Sequence, residues 1–405
     1  MRRQSASGIA MTHDEKSAVS VLAGIYAVRM LGLFMLLPVL ALFASGLEGA
    51  TPTLSGLAVG AYGVTQAGLQ IPFGLMSDRF GRIPVIAFGL LIFIAGSVVA
   101  AFATDIWTLI GGRVLQGAGA ISAAVTALLA DRTRDIVRTR AMAIIGISIG
   151  TTFMLSMILG PALAGVAGVS SLFWFSAALG VGALVLLLVV LPKAPEQEVV
   201  HHAEKPRFLD TLKDAELLRL YTGVFLLHAA VTALFVAVPF ALRDVAGLVA
   251  AEHWKVYMPV ILISLLGTVP LIMMSERQGD PRKSLIIGIC ILLVGQLLLG
   301  WQHGSTLAIS FALVVFFAGF NFLEARLPSL LSQLATPERR GAALGIFASS
   351  QFMGAFVGGT MGGWLRGSWG LEGVFAVTAS LAAVWLLLAL GGKSGISGDK
   401  ANNEG

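Results

Sequence analysis

The sequence predicts an all-α membrane protein, with twelve transmembrane helices arranged as two six-helix halves. Three observations carry this. Of the 405 residues, 57% are hydrophobic and 12% charged, with a mean hydropathy of +0.87; a water-soluble domain of this length could not keep so much apolar surface dry. The charges fall in bunches, and the apolar runs between them are long enough to cross a bilayer. About 20 residues rising 1.5 Å each match a hydrocarbon core of about 30 Å. One long polar interruption, residues 192–217, leaves six such runs on each side.

Residues 1–16 are polar and lack a short apolar core ending in a cleavage site, so they read as a cytoplasmic lead-in to an uncleaved first span. Span one, 17–45, is apolar apart from Arg29. Spans two and three, 54–76 and 83–103, are joined by Asp78-Arg79-Phe80-Gly81-Arg82. So short a link forces a hairpin with its charges in water, and Gly81 lets the backbone turn without a Cβ clash. Span four, 107–130, holds Arg113; the Arg-rich loop Arg132–Arg140 leads to span five, 141–165, and then span six, 171–191. The linker 192–217 carries Pro192, Pro195 and Pro206 among Glu196, Glu198 and Glu204. Spans seven to twelve follow at 218–242, 255–275, 284–301, 306–331, 341–365 and 372–391, before a tail at 392–405. The halves are therefore 17–191 and 218–391.

Outside the spans, every Lys and Arg except Arg243, Lys255 and Arg366 falls on one side when both termini share that side. Cytoplasmic loops carry the excess of basic residues, so both termini are expected inside. The pI of about 9.6 then reports topology and contact with anionic lipid rather than nucleic acid. Cys290 is the only cysteine, which excludes an intramolecular disulfide and a Cys-based metal site. No phosphate-binding glycine loop, metal-ligand cluster or nucleophile–base set is present, so neither an enzyme nor a cofactor is expected, and energy must come from an ion gradient.

The halves share local text. Asp78-Arg79-Phe80-Gly81 after span two matches Glu276-Arg277-Gln278-Gly279 after span eight, and Arg140-Ala141-Met142-Ala143 matches Arg340-Gly341-Ala342-Ala343. Repeats at corresponding places in two halves mark a carrier whose halves rock about a central site. Gly56/Gly60, Gly146/Gly150, Gly341/Gly345, Gly354/Gly358 and Gly359/Gly363 form small-xxx-small faces. These serve close helix packing in general, or sliding between halves in particular.

The stretch Gly74–Arg82 resembles the loop motif after helix two of the major facilitator superfamily, except that Ile83 stands where a second basic residue is usual. Arg113-Val114-Leu115-Gln116-Gly117-Ala118-Gly119-Ala120 resembles the family's helix-four motif, whose arginine is linked to proton coupling. Gly146, Gly150, Gly160-Pro161 and Gly165 resemble the glycine-proline motif of its drug:proton antiporter branch. Arg29-Met30-Leu31-Gly32 with Pro38, Glu252–Tyr257 and Asn321–Pro328 are similar to bacterial inner-membrane efflux members of that branch. Those members carry a soluble domain after helix twelve; this sequence runs to Gly405 through a Gly/Ser/Lys tail, and no regulation by such a domain is carried over. The resemblance covers roughly residues 17–391. It implies the major facilitator fold, a multi-pass monomer in the bacterial inner membrane, and a small-molecule substrate exchanged against protons. It also implies an inner charge latch, in which Asp131 joins Asp78, Arg79, Gly81 and Arg82 to hold the halves together; by residue type alone Asp131 is a topology anchor.

Charges at membrane depth are costly and should face a cavity or a partner. Arg29, Arg113, Glu324, Arg326 and His228 qualify. Glu324 is the only acid inside a span away from its ends. Burial disfavours its charge and a neighbouring cation favours it, a balance that suits a proton carrier; the alternative is a structural ion pair with Arg326. His228 either assists in proton transfer or is satisfied packing. Span position nominates Phe34, Met35, Gln66, Gln70, Phe153, Met154, Phe235, Asn321 and Phe352 for a largely apolar substrate cavity. Three functions fit: an antiporter exporting amphiphilic compounds, a proton symporter taking up a nutrient, and a non-transporting sensor or scaffold. A symporter wants more polar intramembrane groups, and a scaffold needs neither Glu324 nor the repeat.

Overall fold

A computed structural model describes residues 10–191, 211–278, 280–301, 304–336 and 339–391. Most of the predicted linker, the tail and Gly279 of the repeated turn lie outside the described residues. Helix α1, His13–Phe34, begins with a capping box: the Thr12 hydroxyl accepts from the Glu15 amide at 3.2 Å while the Thr12 amide donates to the Glu15 carboxylate at 2.8 Å. Helix α2, Leu37–Ser45, continues the same span after a break at Met35–Leu36. Pro38 explains the break, because it has no amide to offer the preceding turn.

Helices α3, Pro52–Phe80, and α4, Arg82–Ala101, are separated by Gly81 alone. Gly81 turns the chain at φ 92°, a conformation open to glycine and strained for other residues. Helices α5, Ile106–Ala118, and α6, Ser122–Asp131, form one span broken at Gly119–Ile121. Helix α7, Asp135–Ala167, runs through Pro161, and α8, Ser170–Val185, gains a π-helical turn to Val190. The second half comprises α9, Ala215–Asp244; α10, Trp254–Gln278; α11, Pro281–Trp301; α12, Thr306–Leu334; and α13, Arg340–Gly391. Asp105, Asp214 and Ser305 cap α5, α9 and α12 with side-chain acceptors.

Among the described residues, ten helical stretches are long and apolar enough to cross a membrane. The last of them has 52 residues and folds back at Gly370, φ 71°, so it makes two crossings. Helix α3 is as long as its neighbours, 29 residues, but less apolar; with it the crossings number twelve. The predicted spans agree, except that the first and fourth are broken rather than continuous.

Helix α3 of the first half packs along α13 of the second, and α9 packs on the other side of α13. The α3–α13 seam is backbone against backbone. A Cβ built on Gly56 would lie 2.6 Å from Gly363 Cα, and one on Gly60 would lie 2.6 Å from the Phe356 carbonyl oxygen. Two small-residue faces predicted separately, Gly56/Gly60 and Gly359/Gly363, therefore meet each other. Gly354 and Gly358 pack on Phe225 and Ala229 of α9.

The glycines of α7 divide. Gly160 meets the Met35 backbone and Gly165 meets Ala251, while Gly146 and Gly150, like Gly341, meet nothing within 4 Å. The halves thus touch most closely toward the end away from the Asp78 turn, where Val236 and Phe240 of α9 sit inside a core built mainly from the first half.

Candidate functional site

The centre of the bundle is built on α9, α12 and α13. His228 of α9 donates its Nδ1–H to the Val224 carbonyl at 3.1 Å, one turn back. The Gln351 amide of α13 donates to His228 Nε2 at 2.8 Å and to Glu324 Oε1 at 3.4 Å. Glu324 Oε2 lies 3.7 Å from His228 Nε2 and is buried without a hydrogen-bond partner. The carboxylate as a whole is open to its surroundings, with 42% of the side chain exposed, against 14% for His228. Among the described residues no ion pair joins Glu324 to Arg326, the alternative that their proximity in sequence offered, and His228 stands beside the carboxylate instead. Two residues along a helix turn through about 200°, which sends the two side chains apart. Arg326 keeps a buried Nε without a partner.

Next to this pair lies an aromatic cluster that both halves supply. Phe153 of α7 is its hub: Phe34 of α1 stands edge-on at 5.3 Å, and Phe235, Phe317 and Phe320 of the second half each lie at 6.4 Å. Phe320 also meets the His228 ring at 5.9 Å. Phe352 crosses the seam to Tyr62 at 6.1 Å. Of the other nominated cavity residues, Met154 packs on the second-half core, Asn321 donates to Ser264 at 3.2 Å, and Phe235 is only 1% exposed.

Gln66 and Gln70 do not line this space. Both are buried, Gln66 donating to Gln70 at 3.0 Å and accepting from Arg29 at 2.7 Å. They belong to a polar cage around the Arg29 guanidinium, which also donates to Tyr62 Oη at 2.8 Å, Ser122 Oγ at 3.2 Å and the Gly119 carbonyl at 2.8 Å. The break in the fourth span contributes to the cage: the Gly119 carbonyl leaves the helical ladder, accepts from the Ile121 amide at 2.9 Å and takes Arg29 as a second donor. Arg113 is likewise buried and donates to the Ala58 and Val59 carbonyls at 3.3 and 3.4 Å and to Gln116 at 2.8 Å. Both guanidinium groups lie over the Tyr62 ring, at 5.9 and 5.3 Å. Among the described residues neither is hydrogen-bonded or ion-paired to a carboxylate. The fold thus separates the four residues nominated for proton coupling into an acid–imidazole pair and two caged arginines.

The latch residues divide too. Arg82 pairs with Asp78 and, at 3.0 Å, with Asp131, while Arg79 turns onto the Phe80 ring at 5.4 Å. Asp78, Arg82 and Asp131 all belong to the first half, so among the described residues this cluster ties α3, α4 and α6 together; a latch between the halves is expected only when they close at this end. Two carboxylates near helix C-termini, which their own dipoles disfavour, share one guanidinium. At the corresponding turn of the second half Asp280 caps α11. The Arg282 and Lys283 amides it accepts from hold its carboxyl below the usual range. Arg282 reaches the Ala389 and Leu390 carbonyls at the end of α13.

Gln351 and Tyr62 organise these clusters, and the sequence reading named neither as a site residue. Each is a polar side chain in the middle of an apolar span, a signal available to a search not restricted to ionisable groups.

The model of the Major Facilitator Superfamily matches residues 22–277 and 253–401. The chain is 42% identical over 381 residues to the inner membrane transport protein YajR of Escherichia coli (strain K12), covering 94% of this chain and 84% of that protein. It is 27% identical over 351 residues to the multidrug resistance protein MdtH of Proteus mirabilis (strain HI4320), covering 83% and 84%. A crystal structure of a bacterial homologue of the human lysosomal transporter Spinster, inward-facing and occupied, superposes with a TM-score of 0.72 at 14% identity, over 94% of this chain and 98% of that one. With twelve crossings in two halves that meet on glycine faces around a central acid–imidazole pair, this chain belongs to the major facilitator superfamily of membrane transporters.

Proposed function

We propose that the chain is a proton-coupled antiporter that exports small amphiphilic compounds by alternating access, as a monomer in a bacterial inner membrane with both termini cytoplasmic. One observation carries the reading: the only carboxylate inside a span away from its ends, Glu324, stands half-exposed beside His228 at the rim of an aromatic cluster shared by both halves. Aromatic faces and edges give a non-directional surface for amphiphilic molecules, and the acid–imidazole pair supplies a group whose charge can change within the cycle. The names of the MdtH relatives favour export. Moving one charge through 100 mV yields about 2.3 kcal/mol, enough for a gradient of about fiftyfold. The contacts at the end away from the Asp78 turn, with Gly146 and Gly150 unpacked at the other, support an inward-open state.

A compound-sensitivity panel in an efflux-deficient bacterium, with and without the chain, supplies the substrate probe. Proteoliposomes then test coupling. Glu324→Gln keeps size and hydrogen bonding but cannot exchange a proton, so it is expected to bind and exchange substrate yet lose substrate-induced proton release and uphill export. Intact uphill export in Glu324→Gln would remove Glu324 from the mechanism.

A further inference from the structure

We infer that Gln351 is the positioning residue that converts protonation of the Glu324–His228 pair into movement of α13 against the first half. The inference rests on the proton-coupling reading above. An amide nitrogen only donates and a carbonyl only accepts. Gln351 Nε2 faces His228 Nε2 and His228 Nδ1 faces the Val224 carbonyl, the arrangement that an imidazole carrying its hydrogen on Nδ1 alone satisfies. In this state Glu324 Oε2 is buried without a donor, 3.7 Å from the imidazole nitrogen that Gln351 faces.

A proton taken from water onto Nε2 changes three relations at once. The new N–H gives Glu324 Oε2 its missing partner. His228 Nε2 ceases to be an acceptor. The Gln351 N–H is left facing another N–H, so the amide must turn or withdraw. Release of the proton to water on the other side restores the first arrangement.

Few other charges act on the pair. Among the described residues Arg326 of α12 makes no ion pair with Glu324, and Arg29 and Arg113 of the first half lie over the Tyr62 ring, which Phe352 meets; Arg219 on α9 and Arg340 on α13 stand about 14 and 17 Å along their helices from His228 and Gln351. Helix α10 holds only Tyr257 between Lys255 and Glu276, and α11 only Cys290 beyond Lys283. On α13, Arg366 and Glu372 lie more than 20 Å along the chain axis from Gln351 by helical rise of about 1.5 Å per residue.

The residue after Gln351 is Phe352, whose carbonyl packs on Gly63 and whose ring meets Tyr62. Phe356, Gly359 and Gly363 follow on the same face, against Gly60 and Gly56. No side chain stands between these backbones to absorb a displacement, so a shift at Gln351 is passed to the seam as motion of the helix.

The test separates ring protonation from helix movement. Spin labels at Thr139 and Leu344, in a Cys290→Ser background, report the distance between the halves at the Asp78 end, while ring-nitrogen NMR signals report His228. In wild type, protonation and the distance change are expected at the same pH. In Gln351→Leu the ring should still protonate while the distance stays constant, and uphill export should fall at least tenfold with downhill exchange retained. In Gln351→Asn, which keeps the amide but is one methylene shorter, the distance change should separate in pH from ring protonation. A wild-type distance response in Gln351→Leu, or coincident midpoints in Gln351→Asn, overturns the inference. A wild-type ring that does not protonate as the halves move overturns the coupling reading beneath it as well.

Discussion

Replacing Arg29 by lysine tests what the buried arginine is for. If it served as a charge for coupling, Arg29→Lys would preserve it. The geometry says instead that the forked shape matters, because Nη1 donates to Ser122 and Nη2 is shared by Tyr62, Gln66 and Gly119. Lysine has three donors on one atom and cannot serve partners spread over both arms. The three N–H groups that reach these four acceptors contribute about 1.5–3 kcal/mol each; if lysine keeps one such bond, the loss is about 3–6 kcal/mol. Arg29→Gln loses more of the bonds but returns about 2.5–3.5 kcal/mol, the cost of a charge at membrane depth. Arg29→Lys is therefore expected to be at least as destabilised as Arg29→Gln, despite keeping the charge. The assay is the thermal unfolding midpoint of the purified protein in detergent, with substrate-induced proton release measured per folded molecule. A wild-type midpoint for Arg29→Lys beside a collapsed Arg29→Gln would refute the clamp and return Arg29 to an electrostatic role.

Gly60→Leu places a side chain into the Phe356 backbone, so transport should be lost at matched membrane levels; full activity would show that the α3–α13 seam is not closely packed during the cycle. Asp131→Asn removes one of two carboxylates from Arg82, both about half-exposed. It should shift stability by less than about 1 kcal/mol, as read from the unfolding midpoint. Asp78→Asn should impair transport more than Ile83→Lys, which restores the family pattern, and equal activity of Asp78→Asn and wild type would count against a role for the cluster in transport. Single cysteines at Glu48 and Gly304 should label from outside the cell and one at Glu198 should not; labelling of all three from one side would sink the proposed topology.

Much of the fold was legible because its causes are local. Apolar runs and the turn at Gly81 depend on a handful of neighbours. The small-residue faces were visible as faces, but not their partners. Nothing in the spacing of Gly56 and Gly60 says that Gly359 and Gly363 fill them, or that Gly146 and Gly150 stay empty. Hydropathy ran uninterrupted through the breaks in the first and fourth spans; Pro38 marks the first in the sequence, whereas the fourth depends on Arg29 of another helix reaching the Gly119 carbonyl.

Composition and charge pattern by themselves determined a membrane protein of twelve crossings in two halves, because a bilayer accepts only long apolar helices with satisfied backbones. They also singled out Glu324, the one acid that had to have a reason to be there. Only the tertiary structure decided who answers each buried charge: His228 and Gln351 for Glu324 rather than Arg326, and a neutral cage rather than a carboxylate for Arg29. Hydropathy measures how much a residue costs to bury, whereas the partner that offsets the cost comes from another helix, often a hundred residues away, and is set by how the helices pack.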